Sequence, residues 1–161
     1  MPQRMMVTIL LVALELAAGT AARAQSVADL DHAMRAMQLR MRALNTTRKS
    51  LQQIEVRRDD REENAVRNIT DADVVVFSAA VKVFTVAYIA SGMKCPDDLS
   101  FSQRQFGLVV KSFVTTADEE LATINTNLRD IAGPSAVAEA TNIRDTVVDL
   151  RDLLKPFAGE E

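Results

Sequence analysis

Seventeen consecutive residues, Val74 to Ala90, carry a single charge, and this run limits most strongly what the chain can fold into. The run reads VVVFSAAVKVFTVAYIA, and its charged residue is Lys82. At helical spacing it forms two adjacent apolar rows. The first row contains Val74, Phe77, Val81, Phe84 and Tyr88, and the second contains Val76, Ala80, Val83, Ala87 and Ala90. The pattern predicts a helix that is covered by protein on nearly every side.

Two other structures suit such an apolar run. A buried strand would accommodate its β-branched residues, but the sequence contains no second strand-like run to pair its backbone groups. A transmembrane helix needs roughly 17 to 25 residues, so the run is barely long enough. Lys82, near its centre, would cost about 2.5 to 3.5 kcal/mol on insertion. We therefore predict a buried helix in water, and a membrane-embedded subunit with residues 74–90 as the span remains an alternative.

The first residues have the pattern of a secretory signal. Arg4 precedes the apolar run Met5 to Leu14, and small residues then lead to Ala22-Arg23-Ala24. An A-x-A site of this kind predicts cleavage after Ala24. The sequence thus predicts a signal peptide over 1–24, a periplasmic or secreted location, and a single domain over 25–161.

Three further apolar rows recur at steps of three and four residues, which is typical of helices packed in a bundle. The row before the central run covers Val27 to Leu51. The two rows after it cover Phe106 to Ile131, in the predicted third helix, and Ala136 to Phe157, in the predicted last helix. Ser100 and Gln103 form a capping box that predicts the start of the third helix. The sequence therefore predicts an all-α fold, an elongated antiparallel helical bundle of about four helices, three long and one shorter.

The position of the first reversal is open between residues 57–60 and 68–71. A turn at 68–71 would bury the apolar run against the charged segment before it, whereas a turn at 57–60 brings it beside the methionine-rich row of the first helix. The hydrophobic match favours the earlier turn, although this turn lacks the glycine or proline that usually marks a reversal.

His32, Met34, Met37 and Met41 are the residues with the strongest resemblance to a metal site. Thioethers and imidazole are soft ligands that suit Cu(I). The three methionines, however, lie in the same row as Leu44, so we interpret them as core filler. We predict no cofactor and no bound metal, and a periplasmic small-ligand or copper carrier remains an alternative.

Composition and charge exclude several functional classes. The chain has 22 acidic and 19 basic residues and a net charge of −3, without the clustered basic face of a nucleic-acid binder. The chain has a single histidine and no nucleophile elbow, so it lacks the residues that hydrolytic catalysis usually uses. It also has no Glu-x-x-His motif, which di-metal carboxylate bundles need. The sequence predicts a protein that is not an enzyme.

Two features remain as candidate contact sites. The charged run RRDDREE contains Arg57, Arg58, Asp59, Asp60 and Arg61, and it is interpreted either as a solvated tip or as a partner-docking surface. Cys95 is the sole cysteine, so the chain has no internal disulfide. This residue is either a small buried hydrophobe or a thiol that is free or bonded between chains.

These observations predict an interaction or structural accessory component of a bacterial cell-envelope assembly. Its expected partner is an envelope protein, a class that includes a second copy of the chain. We expect no nucleic-acid partner and no membrane insertion.

Overall fold

The computed structural model describes residues 30–54, 60–91 and 96–158 of the chain. Within these ranges the chain is helical almost throughout and contains no strand, which confirms the predicted all-α bundle of four packed helices. We label the helices α1 (30–53), α2 (Asp60–Ser91), α3 (Pro96–Asn127) and α4 (Pro134–Leu154). Single 3-10 turns follow α3 at Leu128–Asp130 and α4 at Lys155–Phe157. The predicted signal peptide, 1–24, lies outside the described residues.

The first reversal falls before residue 60. α1 is helical through residue 53, and α2 begins at Asp60 and continues without a break through 68–71. The later of the two candidate turns is therefore excluded. Residues 57–59 of the earlier candidate lie outside the described residues, and its last residue, Asp60, is already helical.

The third helix begins earlier than its capping box predicted. α3 starts at Pro96, so Ser100 lies inside the helix and the predicted N-terminus was wrong. Proline suits the first position of a helix because its φ is already helical and the missing N–H would have no partner inside the helix. Regular α-helix ends at Asn127, and Ile131 is extended before Gly133-Pro134, where α4 begins.

The core is built from one apolar row of each helix. Most residues of the rows predicted for α3 and α4 are buried, namely Phe106, Val110, Phe113, Ala117, Leu121, Ile124, Ile131, Ala136, Ala140, Ile143, Val147, Leu150 and Leu154. Leu128 and Phe157, predicted in the same rows, are only half-buried, and Leu128 and Ile131 lie beyond the end of α3. α1 contributes Met37, Leu44 and Leu51. α2 contributes Ala65, Ile69, Ala72, Val76, Ala80, Val83 and Ala87. Small side chains dominate the α2 row, which lets neighbouring helices approach closely.

The prediction that α2 is covered on nearly every side was wrong. In its second apolar row Val76, Ala80, Val83 and Ala87 are buried, but in the first row Val74 is 47% exposed, Val81 40% and Tyr88 68%. Phe77 and Phe84, in the same row, are half-buried. A helix of a four-helix bundle has neighbours along only part of its circumference, so a run that is apolar all round leaves one apolar side in water.

A buried carboxylate connects the start of α2 to the start of α4. Glu62 Oε1 accepts hydrogen bonds from the backbone N–H groups of Ala132 (3.0 Å) and Gly133 (2.9 Å), and Gly133 is the N-cap residue of α4. A carboxylate suits this place because the N–H groups at a helix start have no partner inside the helix. The contact ties the first turn of α2 to the start of α4.

Candidate interaction surface

The exposed side of α2 between residues 74 and 89 is the candidate functional surface. We call it the α2 outer face and define it by the exposed positions Val74, Val75, Ser78, Val81, Lys82, Thr85, Tyr88 and Ile89. Five of these side chains are large and apolar or aromatic, two carry hydroxyl groups, and one is charged. The Thr85 hydroxyl donates to the backbone oxygen of Val81 in its own helix, at 2.9 Å.

The concentration of apolar surface on this face is not matched elsewhere in the described ranges. Of the seven exposed large hydrophobic residues in those ranges, five belong to the α2 outer face, and the other two, Leu39 and Leu108, lie on α1 and α3. The exposed positions of α4 include Asn142, Asp145 and Asp149 and no large hydrophobic residue. Scattered exposed hydrophobic residues are ordinary, but a contiguous apolar patch marks a binding surface.

The outer face repeats every seven residues. Val74, Val81 and Tyr88 form one row, and Val75, Lys82 and Ile89 form a second row beside it. Between them lie the small side chains of Ser78 and Thr85. A seven-residue repeat keeps one face in register with a neighbouring helix in a left-handed pair. The spacing therefore fits a helix as the binding partner better than it fits a flat surface.

A buried ion pair holds α1 against α2 at one end of this face. Arg48 Nη1 donates to Asp73 Oδ2 at 3.2 Å, and Arg48 Nη2 donates to Asn45 Oδ1 at 2.8 Å. The guanidinium carbon of Arg48 also lies 5.6 Å from the centre of the Phe77 ring, within cation–π range. The Asp73 side chain is fully buried, and its second oxygen, Oδ1, accepts no hydrogen bond from the described residues.

Burial raises the pKa of Asp73 from 3.8 to about 6, although the Arg48 charge and hydrogen bond act in the opposite direction. Desolvation penalises the ionised carboxyl group, so this group binds its proton more tightly in the folded chain than in the unfolded chain. The sequence offered no sign of the pair, because Arg48 appeared only as an interruption in the apolar row of α1.

We expect the raised pKa of Asp73 to make the protein more stable as pH falls from 7 to 4. The folded carboxyl group takes up its proton near pH 6, whereas the unfolded group does so near 3.8, so its contribution is complete below 3.8 and is lost as pH rises through 6. The difference corresponds to about 3 kcal/mol in the free energy of unfolding. Urea unfolding of the wild type and of Asp73→Asn across this range measures it.

Other carboxyl groups also contribute to the pH dependence of the free energy of unfolding of the wild type. Subtracting the same curve for Asp73→Asn removes the contribution that the two proteins share. The difference between the two profiles should change between pH 4 and pH 6 and stay flat above pH 7. A difference that does not depend on pH would show that Asp73 titrates as an ordinary exposed aspartate.

The four metal-site candidates differ in how deeply they are buried. His32 is exposed, Met37 is buried, and Met34 and Met41 are half-buried. Met37 fills the core as interpreted. In the described part of the chain, no group of three or more His, Cys, Asp or Glu residues could hold a metal ion.

The charged run is only partly described. Arg57, Arg58, Asp59 and Cys95 lie outside the described residues, so their predicted roles stay predictions. Asp60 is exposed at the start of α2, and Arg61 forms an exposed ion pair with Asp130 beside the α3–α4 connection. Of this run, the structure therefore shows Arg61 contacting the bundle itself, as Glu62 does next to it.

Two further features bear on the alternatives. Among the described residues one helix, Asp60–Ile89, is long and apolar enough to cross a membrane, with a mean hydropathy of 1.8 in its most apolar window. Core helices of soluble proteins pass the same test, although only 33% of this window is buried.

An open cleft of about 430 Å³ lies between α1 and α2 near the first reversal, and its rim carries Glu63, Arg67 and Asp71. Its lining also includes the apolar side chains of Leu51, Ile54 and Val66, and the cleft is open to solvent.

Comparisons with known proteins give the chain no relative. No protein-family model, curated protein or solved structure matches it. Three residues of this surface, Val74, Val81 and Tyr88, belong to an apolar row that the sequence predicted to be buried.

Proposed function

We propose that this chain is an exported, non-enzymatic interaction protein, an accessory component of a bacterial cell-envelope assembly that binds a protein partner through the α2 outer face. The observation that carries the proposal is the exposure of Val74, Val75, Val81, Tyr88 and Ile89 on one side of a folded bundle. Keeping such a face in water costs about 25 cal/mol for each Å² of apolar surface, and a binding partner removes that cost.

Export and an envelope location are supported by the sequence pattern of residues 1–24. A partner-binding role is supported by the seven-residue repeat of the outer face, because this repeat suits a helix that lies alongside α2. The chemistry of the face also fits: aromatic and branched apolar side chains with one lysine are typical of the central part of a protein interface, where charged residues are depleted.

The test places a photo-crosslinking amino acid at Val81 in the full chain, expressed in bacterial cells. The matched control carries it at Asn142, an exposed position of α4. We expect covalent adducts of higher mass from the Val81 position, in the soluble periplasmic fraction, and none from the Asn142 position. Mass spectrometry of the purified protein should show an N-terminus at Gln25.

Two results would contradict the proposal. Absence of any adduct at Val81, with the protein soluble, would mean that the outer face has no protein partner. Release of the protein only by detergent would favour the alternative of a membrane-embedded subunit with residues 74–90 as the span, for which the hydropathy of α2 is the supporting observation. Stoichiometric copper or a chromophore in the purified protein would favour the carrier alternative.

A further inference from the structure

We propose that the partner of the α2 outer face is the same face of a second copy, with the two α2 helices antiparallel about a two-fold axis between Val81 and Lys82. This inference rests on the proposed function and names its partner. A two-fold pair uses the same patch on both copies, so the patch has to be complementary to itself.

The positions of the outer face satisfy that requirement. An antiparallel pair centred between Val81 and Lys82 places Val74 opposite the partner's Ile89 and Val75 opposite the partner's Tyr88. Every outer-face position then meets another outer-face position, and none meets a residue from the buried side of α2. A parallel pair would instead set the two copies of every outer-face residue at the same height along the axis, Val74 with Val74 and Tyr88 with Tyr88.

The sizes of the side chains are also complementary. The bulky residues stand at the two ends of the face, Val74 and Val75 at one and Tyr88 and Ile89 at the other, and the antiparallel arrangement packs one end against the other. Ser78 falls opposite the partner's Thr85. Ser78 and Thr85 lie on either side of the central Val81 and Lys82, so small and large residues alternate along the face, as they do in well-packed helix pairs.

The available area predicts a weak dimer. The outer face spans sixteen residues, which corresponds to about 24 Å of helix, and a helix with its side chains is about 10 to 12 Å across. Two such strips in contact bury on the order of 1,000 Å² in total, at the low end of specific interfaces. The dimer should therefore dissociate on dilution and form at high local concentration.

Lys82 limits the affinity of the dimer and makes that affinity depend on salt. In the antiparallel pair the two lysines lie on the same side of the interface, one residue apart along the axis. Their flexible stems can carry the ammonium groups out to water, but the like charges still repel. Added salt screens this repulsion and should tighten the dimer, and Lys82→Met should tighten it several-fold.

The experiment maps the pairing with single cysteines in the full chain, in a Cys95→Ser background that removes the natural cysteine. The reagent is a bismaleimide that spans about one helix diameter, about 10 Å. In the antiparallel pair two copies of residue 81 are offset by about 1.5 Å along the axis, whereas two copies of residue 74 are about 22 Å apart. Residue 74 instead lies opposite the partner's residue 89.

We expect Val81→Cys to form crosslinked dimers and Val74→Cys alone to form none. A mixture of Val74→Cys and Ile89→Cys should form dimers again, and the control Asn142→Cys on α4 should stay monomeric. Sedimentation of the uncrosslinked protein should show a monomer–dimer equilibrium that Val81→Glu shifts to monomer and Asn142→Glu leaves unchanged. Circular dichroism confirms that each variant is folded.

Crosslinking of Val74→Cys alone would show a parallel pair and overturn the proposed arrangement. A chain that stays monomeric at high concentration and forms no crosslink at any α2 position would overturn the second copy as the partner. In that case the photo-adduct at Val81 in cells decides the proposed function separately: an adduct with a different protein keeps it, and no adduct removes both. Binding of the purified chain to lipid vesicles through α2, without dimers, also overturns the second copy.

Discussion

Replacing Arg48 with methionine is expected to lower the free energy of unfolding at pH 7 by about 3 to 5 kcal/mol. Arg48 is the partner that the structure gives to the fully buried carboxylate of Asp73, whose other oxygen already lacks a hydrogen bond. Without Arg48 the buried carboxyl group either stays ionised with nothing to offset its lost hydration or has to take up a proton at pH 7, and both states cost free energy in the folded chain. Methionine keeps an unbranched apolar side chain, so the loss reports the charge more than the packing. Urea unfolding followed by helical circular dichroism measures it.

Two controls separate the charge from other effects of the substitution. Arg42→Met removes an exposed arginine from the same helix and should change the free energy of unfolding by no more than about 0.5 kcal/mol. Adding Asp73→Asn to Arg48→Met removes the stranded carboxylate and should restore most of the lost stability. The loss should also shrink between pH 7 and pH 5, where Asp73 becomes neutral. A loss below about 1 kcal/mol at pH 7 would contradict the importance of the pair.

Phe113→Ala is expected to lower the free energy of unfolding by about 3 to 5 kcal/mol, because it removes a whole aromatic ring from the centre of the core. The Phe113 side chain is 1% exposed and belongs to the buried row of α3. The surrounding helices cannot close fully over the space that the ring leaves, so a cavity cost adds to the lost burial. The same unfolding measurement applies.

The matched control lies on the same helix, five residues earlier. Leu108 is 61% exposed, so Leu108→Ala should change the free energy of unfolding by no more than about 0.5 kcal/mol. The two substitutions share a helix and differ mainly in burial. Equal effects of the two would contradict the assignment of the core face of α3, and with it the orientation of α3 in the bundle.

The sequence alone predicted the helices and most of their core faces. The apolar rows of α3 and α4 recur at steps of three and four, and this period is set by the geometry of a single helix, so it can be identified without knowing any neighbour. Gly133 and Pro134 lie in the break between α3 and α4, and α4 begins at Pro134. Matching apolar rows also favoured the earlier of the two candidate positions for the first reversal, and the structure excludes the later one.

Only the tertiary structure decided which side of α2 is buried. Both of its rows are apolar, and apolar character states how much a side chain would gain from burial, not whether a neighbouring helix is there to bury it. Val81 and Val83 are the same residue type two positions apart, yet Val83 is fully buried and Val81 belongs to the outer face. The candidate surface was therefore hidden in a run that looked like uniform core.

The polar contacts that fix the bundle also came from the tertiary structure. Asp73 is 25 residues from Arg48 in the chain. Glu62 is 71 residues from Gly133, whose backbone N–H donates a hydrogen bond to the Glu62 carboxylate. Neither separation follows from a helical period, so each residue looked like an ordinary charged position. Local geometry determined which segments of this chain are helices, and the arrangement of those helices determined which charges are buried and which apolar side chains face water.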